Sequence, residues 1–165
     1  MAWTYIAESN LTSTSNEVTF SGIGSSFTDL KIIAYVKSVS AGAYISLRLN
    51  SDTGTNYSRW TVYNQYSPST NLTDGGYAYS SISLGMKAAP STSMYDIDIF
   101  QYANSEYKQV RCNFVEGIAV SNMAVGMVTG MWFDTSAVTS VTIRAGASGT
   151  MGSGTKIALY GIKAA

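Results

Sequence analysis

The chain has 165 residues, of which 45% are hydrophobic and only 12% charged, and its ten basic and ten acidic side chains cancel. That length suits a single domain, one able to bury ~70% of its unfolded surface without covalent staples. Without a basic excess to neutralise phosphates, nucleic-acid binding has no electrostatic basis, and a charge content about half the usual ~25% argues against long surface helices.

The N-terminus, Met1-Ala2-Trp3-Thr4-Tyr5, has neither a basic n-region nor an apolar h-region and does not read as a signal peptide. From there apolar and polar residues alternate. Leu30, Ile32, Ala34 and Val36 share one face of a predicted strand, and Ile45, Leu47 and Leu49 repeat the pattern with Arg48 opposite. Ile82, Leu84 and Met86 follow, then Tyr95, Ile97 and Ile99 with Asp96 and Asp98 on the other side, then Val141 and Ile143, and finally Ile157 and Leu159. This period of two is the mark of half-buried antiparallel strands. The runs are separated by predicted turns at Asn50-Ser51-Asp52-Thr53-Gly54, at Asp74-Gly75-Gly76 and between Gly146 and Gly154, and Pro68 and Pro90 fall in loop-like stretches. No segment keeps helical spacing over three turns, and neither an internal repeat nor a linker is visible. The expectation is one all-β domain over residues 1–165, an antiparallel two-sheet sandwich, with the jelly roll as its expected version.

The apolar stretch from Gly117 to Phe133 is read as strand rather than membrane span, because it is rich in glycine, broken by polar residues and without basic flanks, so no membrane partner is expected. Within it, the odd positions Met123, Val125, Met127, Thr129, Met131 and Phe133 are mostly bulky. The even positions Asn122, Ala124, Gly126, Val128, Gly130 and Trp132 are mostly small. Neither face is charged, so both are expected to be covered. One reading is a central strand capped by a loop; the other is a subunit interface formed by Ala124, Gly126, Val128, Gly130 and Trp132, with the methionines in the core.

Catalytic chemistry finds little support. The chain has no histidine, which removes the usual general base, metal ligand and pH switch. Cys112 is the only cysteine and reads as a small buried hydrophobe. No Gly-x-Ser-x-Gly elbow occurs, and Gly22-Ile23-Gly24-Ser25-Ser26 lacks the ending of a phosphate loop. Asp96 and Asp98 project from one strand face, as paired carboxylates or as a solvated surface. Asn50, Asp52, Gly54 and Asn56 are spaced oxygen ligands in a turn, open to calcium or to a plain hairpin. Tyr63, Tyr66, Tyr77 and Tyr79 are candidate glycan platforms. The glycosylation patterns at Asn10, Asn56 and Asn71 carry no weight in so Asn-, Ser- and Thr-rich a chain. We expect no enzyme activity, no cofactor and no metal.

Several stretches, in order and spanning nearly the whole chain, resemble a family of tailed-bacteriophage virion accessory proteins. They are Phe20-Ser21-Gly22-Ile23, Phe27-Thr28-Asp29-Leu30, Leu47 to Ser58, Met131-Trp132, Ser136 to Ile143 and Ala158-Leu159-Tyr160-Gly161-Ile162-Lys163. The resemblance implies a β-sandwich head or tail protein, often a homotrimer, on the outer surface of the phage particle. We expect capsid decoration, a cement protein on the major capsid protein, because the chain has no heptad segment for a shaft and no second domain for a tail anchor. The alternative is a tail-fibre or spike tip that contacts tail proteins and binds a host glycan. A polysaccharide hydrolase is the third class, disfavoured by the missing histidine.

Overall fold

The computed structural model describes residues 2–38, 44–65, 70–85, 91–117, 123–146 and 149–163. Within them the chain forms twelve strands and no helix: β1 (Ala2–Asn10), β2 (Glu17–Ser21), β3 (Asp29–Ser38), β4 (Ile45–Leu49), β5 (Tyr57–Gln65), β6 (Thr70–Tyr79), β7 (Ile82–Ser83), β8 (Ser91–Phe100), β9 (Lys108–Gly117), β10 (Ala124–Trp132), β11 (Ser140–Ala145) and β12 (Lys156–Lys163). They make two antiparallel sheets, an eight-stranded one ordered β1-β12-β3-β8-β9-β10-β5-β6 and a four-stranded one ordered β2-β11-β4-β7. The expected all-β sandwich is present.

Alternation along each strand becomes rows across each sheet. One row of register partners runs Leu159, Ile32, Ile97, Cys112, Val128, Thr61, and every member is buried. Its inner face meets Leu47, Leu49, Ile82, Val141 and Ile143 of the smaller sheet in one contiguous core. Sheet-on-sheet packing of this kind needs one apolar face from each layer. The turn at Asn50-Ser51 takes left-handed backbone angles (φ 52° and 56°), which asparagine tolerates better than most residues. Met86, Pro68, Pro90, Tyr66 and Asn122 lie outside the described residues.

Two expectations are corrected. Asp74-Gly75-Gly76 is not a turn but the middle of β6. Gly75 faces Trp60 across the ladder, and a methyl group added there would lie 2.5 Å from the indole; the glycine is there for close approach. The second correction concerns β10. Its small even face is not turned outward to a neighbour: Ala124, Val128 and Trp132 are buried inside the domain. Gly126 sits between its ladder partners Phe114 and Tyr63, where an added methyl group would come within 2.6 Å of Tyr63 and 2.8 Å of the Phe114 ring. At Gly130 the space belongs to Ile82 of the smaller sheet, 2.9 Å from a methyl group placed there. Small residues here let large inward side chains interdigitate, as close packing requires. The bulky odd face, Met123, Val125, Met127 and Phe133, is the exposed one.

Candidate docking surface

Two pins fix the sheet that carries the surface. The Trp132 indole N–H, at the end of β10, donates to Asp52 Oδ2 at 2.7 Å, and the Trp132 ring stacks on Tyr57 at 6.3 Å. Asp52 also accepts from the Gly54 N–H at 2.7 Å and from Asn56 Nδ2 at 3.0 Å. Burial alone would raise the Asp52 carboxyl, but these hydrogen bonds outweigh it and hold it below the usual value. Asn50 Oδ1 accepts from the N–H groups of Thr139 and Ser140 at 2.8 and 3.1 Å. The spaced oxygen set therefore serves as a hub that ties the β4–β5 turn to β10 and β11, and among the described residues no group of three or more acidic or cysteine side chains is placed to hold a metal.

The second pin is Lys108, wholly buried, whose ammonium donates to the carbonyls of Asn104 at 2.7 Å, of Thr135 at 3.3 Å and of Glu106. Burial lowers its pKa. It holds the β8–β9 connection against the chain that follows β10.

The outer face of the large sheet divides in three. Toward β3 lies a charge cluster in which buried Lys31 sits between Asp96 and Asp98, the latter at 2.9 Å, and Arg111 Nη2 meets Asp98 at 2.7 Å. Burial would lower the Lys31 ammonium, but the two carboxylates more than offset it and its pKa is raised. Asp98 is buried and doubly paired, so Asp96 and Asp98 do not form an acid–base couple with room for a substrate between them. Cys112 is buried in the core and burial pushes its thiol far up, away from thiolate chemistry.

The middle of the face is a trough of about 770 Å³ whose apolar walls are Ile33, Val62, Met94, Val115, Val125 and Met127. Register partners Met94, Val115 and Val125 follow one another across β8, β9 and β10, and Met127 pairs with Val62 on β5. Five of these six are large hydrophobics left 40–55% exposed. Among the described residues Asp96 is the only charged side chain in the lining, and Lys31 pairs it.

The third part, nearer Phe133, is a cleft of about 550 Å³ with aromatic walls, Trp60, Phe100 and Phe133. The tyrosines singled out in the sequence are not brought together: Tyr63 is buried, Tyr79 packs under Arg59 at 5.0 Å, and Tyr77 is exposed at the sheet edge. The aromatics that do converge come from β5, from the end of β8 and from the segment after β10, a grouping no local spacing reveals. No family model, curated protein or solved structure matches the chain.

Proposed function

We propose that the protein is a structural subunit of a tailed-phage particle that associates with copies of itself through the trough on its large sheet. The observation that carries this reading is the apolar patch across β8, β9, β10 and β5. Monomeric proteins rarely leave more than a few hundred Å² of contiguous apolar surface in water. Four strands at ~4.8 Å spacing and about four residues at ~3.3 Å, with the breadth of their side chains, give a patch of roughly 20 by 20 Å. That apolar centre is about half of the ~800 Å² each partner gives to a standard interface, and a polar rim such as Asn64, Asp96 and Asn113 supplies the remainder. A second copy is the occupant that charge favours. The whole chain is neutral, and the trough's one carboxylate is already paired, so two copies meet without like-charge repulsion.

The proposed place on the particle rests on the family resemblance, which supports a homotrimeric cement protein on the major capsid protein, and the strand order is in keeping with it. We read the smaller sheet's order β2-β11-β4-β7, interleaved with β3, β8, β5 and β6, as compatible with the double Greek-key wrap of a jelly roll, with the β8–β9–β10 meander standing where one strand would be. Jelly rolls are common among viral capsid proteins. Three subunits rather than two come from the resemblance. Particles with and without the protein, heated stepwise, test the role: the cement reading expects genome release at lower temperature without it. Unchanged heat release together with lost host adsorption would place the protein at a tail tip instead, and microscopy of labelled virions would show which end carries it.

A further inference from the structure

We propose that the aromatic cleft on the Phe133 side of the large sheet binds a neutral oligosaccharide. The cleft is built from two neighbouring rows of the ladder. One row runs Trp60, Thr129, Arg111, Asp98 and the other Ser58, Met131, Gln109, Phe100, from β5 through β10 and β9 to β8. Three inter-strand steps of ~4.8 Å separate Trp60 from Phe100, about 14 Å, so a chain of a few sugar rings lying across the strands would span both.

Two of the aromatic rings, Trp60 and Phe133, are presented rather than packed away. Trp60 is 61% exposed, and its indole lies against the Gly75 backbone, in space that any side chain there would fill. Phe133 is 41% exposed and braced edge-on by Tyr107 at 5.6 Å. Phe100 lies under the Arg111 guanidinium at 5.5 Å. Rings held in place in this way offer flat apolar faces to the C–H face of a pyranose at little entropic cost. Between them stand hydroxyl-matching groups: the Gln109 amide, the Thr129 hydroxyl and Arg111, whose Nε and Nη2 are engaged by Asp98 at 3.2 and 2.7 Å. A purely apolar occupant would strand these groups without partners. A smaller recess of about 250 Å³ continues the cleft past Phe100 and Gln109 to Gln101, Glu106 and Asp29. Asp98 cancels the charge of Arg111, and the recess adds two carboxylates, so an acidic polysaccharide would be repelled and a neutral one would not.

The cleft shares the outer face with the trough but none of its lining residues, so the two sites can be separated. Titration calorimetry of the whole protein with cellohexaose, maltohexaose, mannohexaose and N-acetylchitohexaose at millimolar concentration, with heparin as the polyanion, is the test. Saturable binding of at least one neutral probe is expected. It should weaken at least tenfold in Trp60→Ala and severalfold in Gln109→Ala, with unchanged circular dichroism and sedimentation, because both side chains are exposed. The proposal is overturned if none of the four sugars binds, if neither substitution moves the affinity, or if heparin binds more tightly than any of them. Dissociation of the assembly by Trp60→Ala would likewise overturn it, by making the cleft a subunit contact.

Discussion

The two faces of β10 are best separated by charging each in turn, with Met127→Glu on the outer face and Gly126→Glu on the inner. Met127 is 40% exposed in the isolated domain. Burying a whole methionine side chain contributes ~1.5–3 kcal/mol, so covering the exposed part in an assembly contributes about 1 kcal/mol per subunit. A glutamate at that position forfeits the gain and adds the desolvation of an unpaired charge, several kcal/mol after relaxation. With that penalty at about 3 kcal/mol, the total of about 4 kcal/mol weakens association close to a thousandfold. The folded monomer should tolerate the change within about 1 kcal/mol, because the new carboxylate stands in water on a half-open face. Gly126→Glu places a side chain where even a methyl group lies 2.5 Å from the Val62 carbonyl, and buries the charge beside Phe114, so the domain itself should fail to fold. Sedimentation velocity at micromolar concentration reports assembly, and thermal unfolding by circular dichroism reports the fold. The reasoning is refuted if the unaltered protein sediments as a monomer, if Met127→Glu stays assembled, or if Met127→Glu unfolds as Gly126→Glu does.

Asp52→Ala leaves the buried Trp132 N–H without its acceptor and removes two further hydrogen bonds to a carboxylate. A loss of about 2–4 kcal/mol and a clear fall in Tm are expected by urea and thermal unfolding. The depressed Asp52 carboxyl contributes stability that is fully present above the ordinary carboxyl value near 4 and is lost as pH falls through its lower folded value. Asp134, held low by the Ser136 N–H and side chain, acts with the same sign. Urea titrations from pH 6 to 2 should therefore show falling stability on the acid side, with a shallower slope in Asp52→Asn; identical slopes would contradict this. Cys112 should react with an aromatic disulfide reagent only as fast as the protein unfolds, so labelling that outpaces unfolding would contradict its burial.

The sandwich was legible because its strongest signal is redundant. Leu30, Ile32, Ala34 and Val36 alternate cleanly and all four are buried, as are Tyr95, Ile97 and Ile99. Where both faces of a strand are apolar, period two no longer says which face is inside. In β10 size was the remaining cue, and it misled: small residues suit a close neighbour, but the neighbours proved to be Phe114, Tyr63 and Ile82 of the same chain. β5 shows the same difficulty in reverse. Its inward residues are Tyr57, Arg59, Thr61 and Tyr63, while Trp60 and Val62 face out, so hydropathy alone would invert the strand. Asp74-Gly75-Gly76 carried turn chemistry, yet its glycine is needed for contact with an indole that only the β5–β6 ladder brings near. Asp52 was visible as a loop oxygen, but its partner Trp132 lies 80 residues away, and nothing in the spacing joins them.

The treatment of charge on the large sheet bears on the assembly reading. Charged side chains near the trough are bound to one another rather than left to water. Lys31 is enclosed by two aspartates, and Arg111 is bound to one of them. For a monomer in water these pairings contribute little, since surface ion pairs are typically worth under ~1 kcal/mol and buried ones rarely repay their desolvation. For a face that is to be covered the same arrangement has a consequence. Charges already paired lose less hydration when a partner arrives, so the trough and its surroundings can be dried at lower cost than a surface of separate lysines and glutamates. An isolated charge beside the trough would raise that cost. Ile33→Lys, in the trough lining and next to the cluster, is therefore expected to weaken self-association by an order of magnitude or more, a tenfold loss needing only about 1.4 kcal/mol. Ile33→Gln, of similar length without the charge, should do so much less. Equal effects of the two substitutions in sedimentation equilibrium would show that the drying of charge plays no part in the contact.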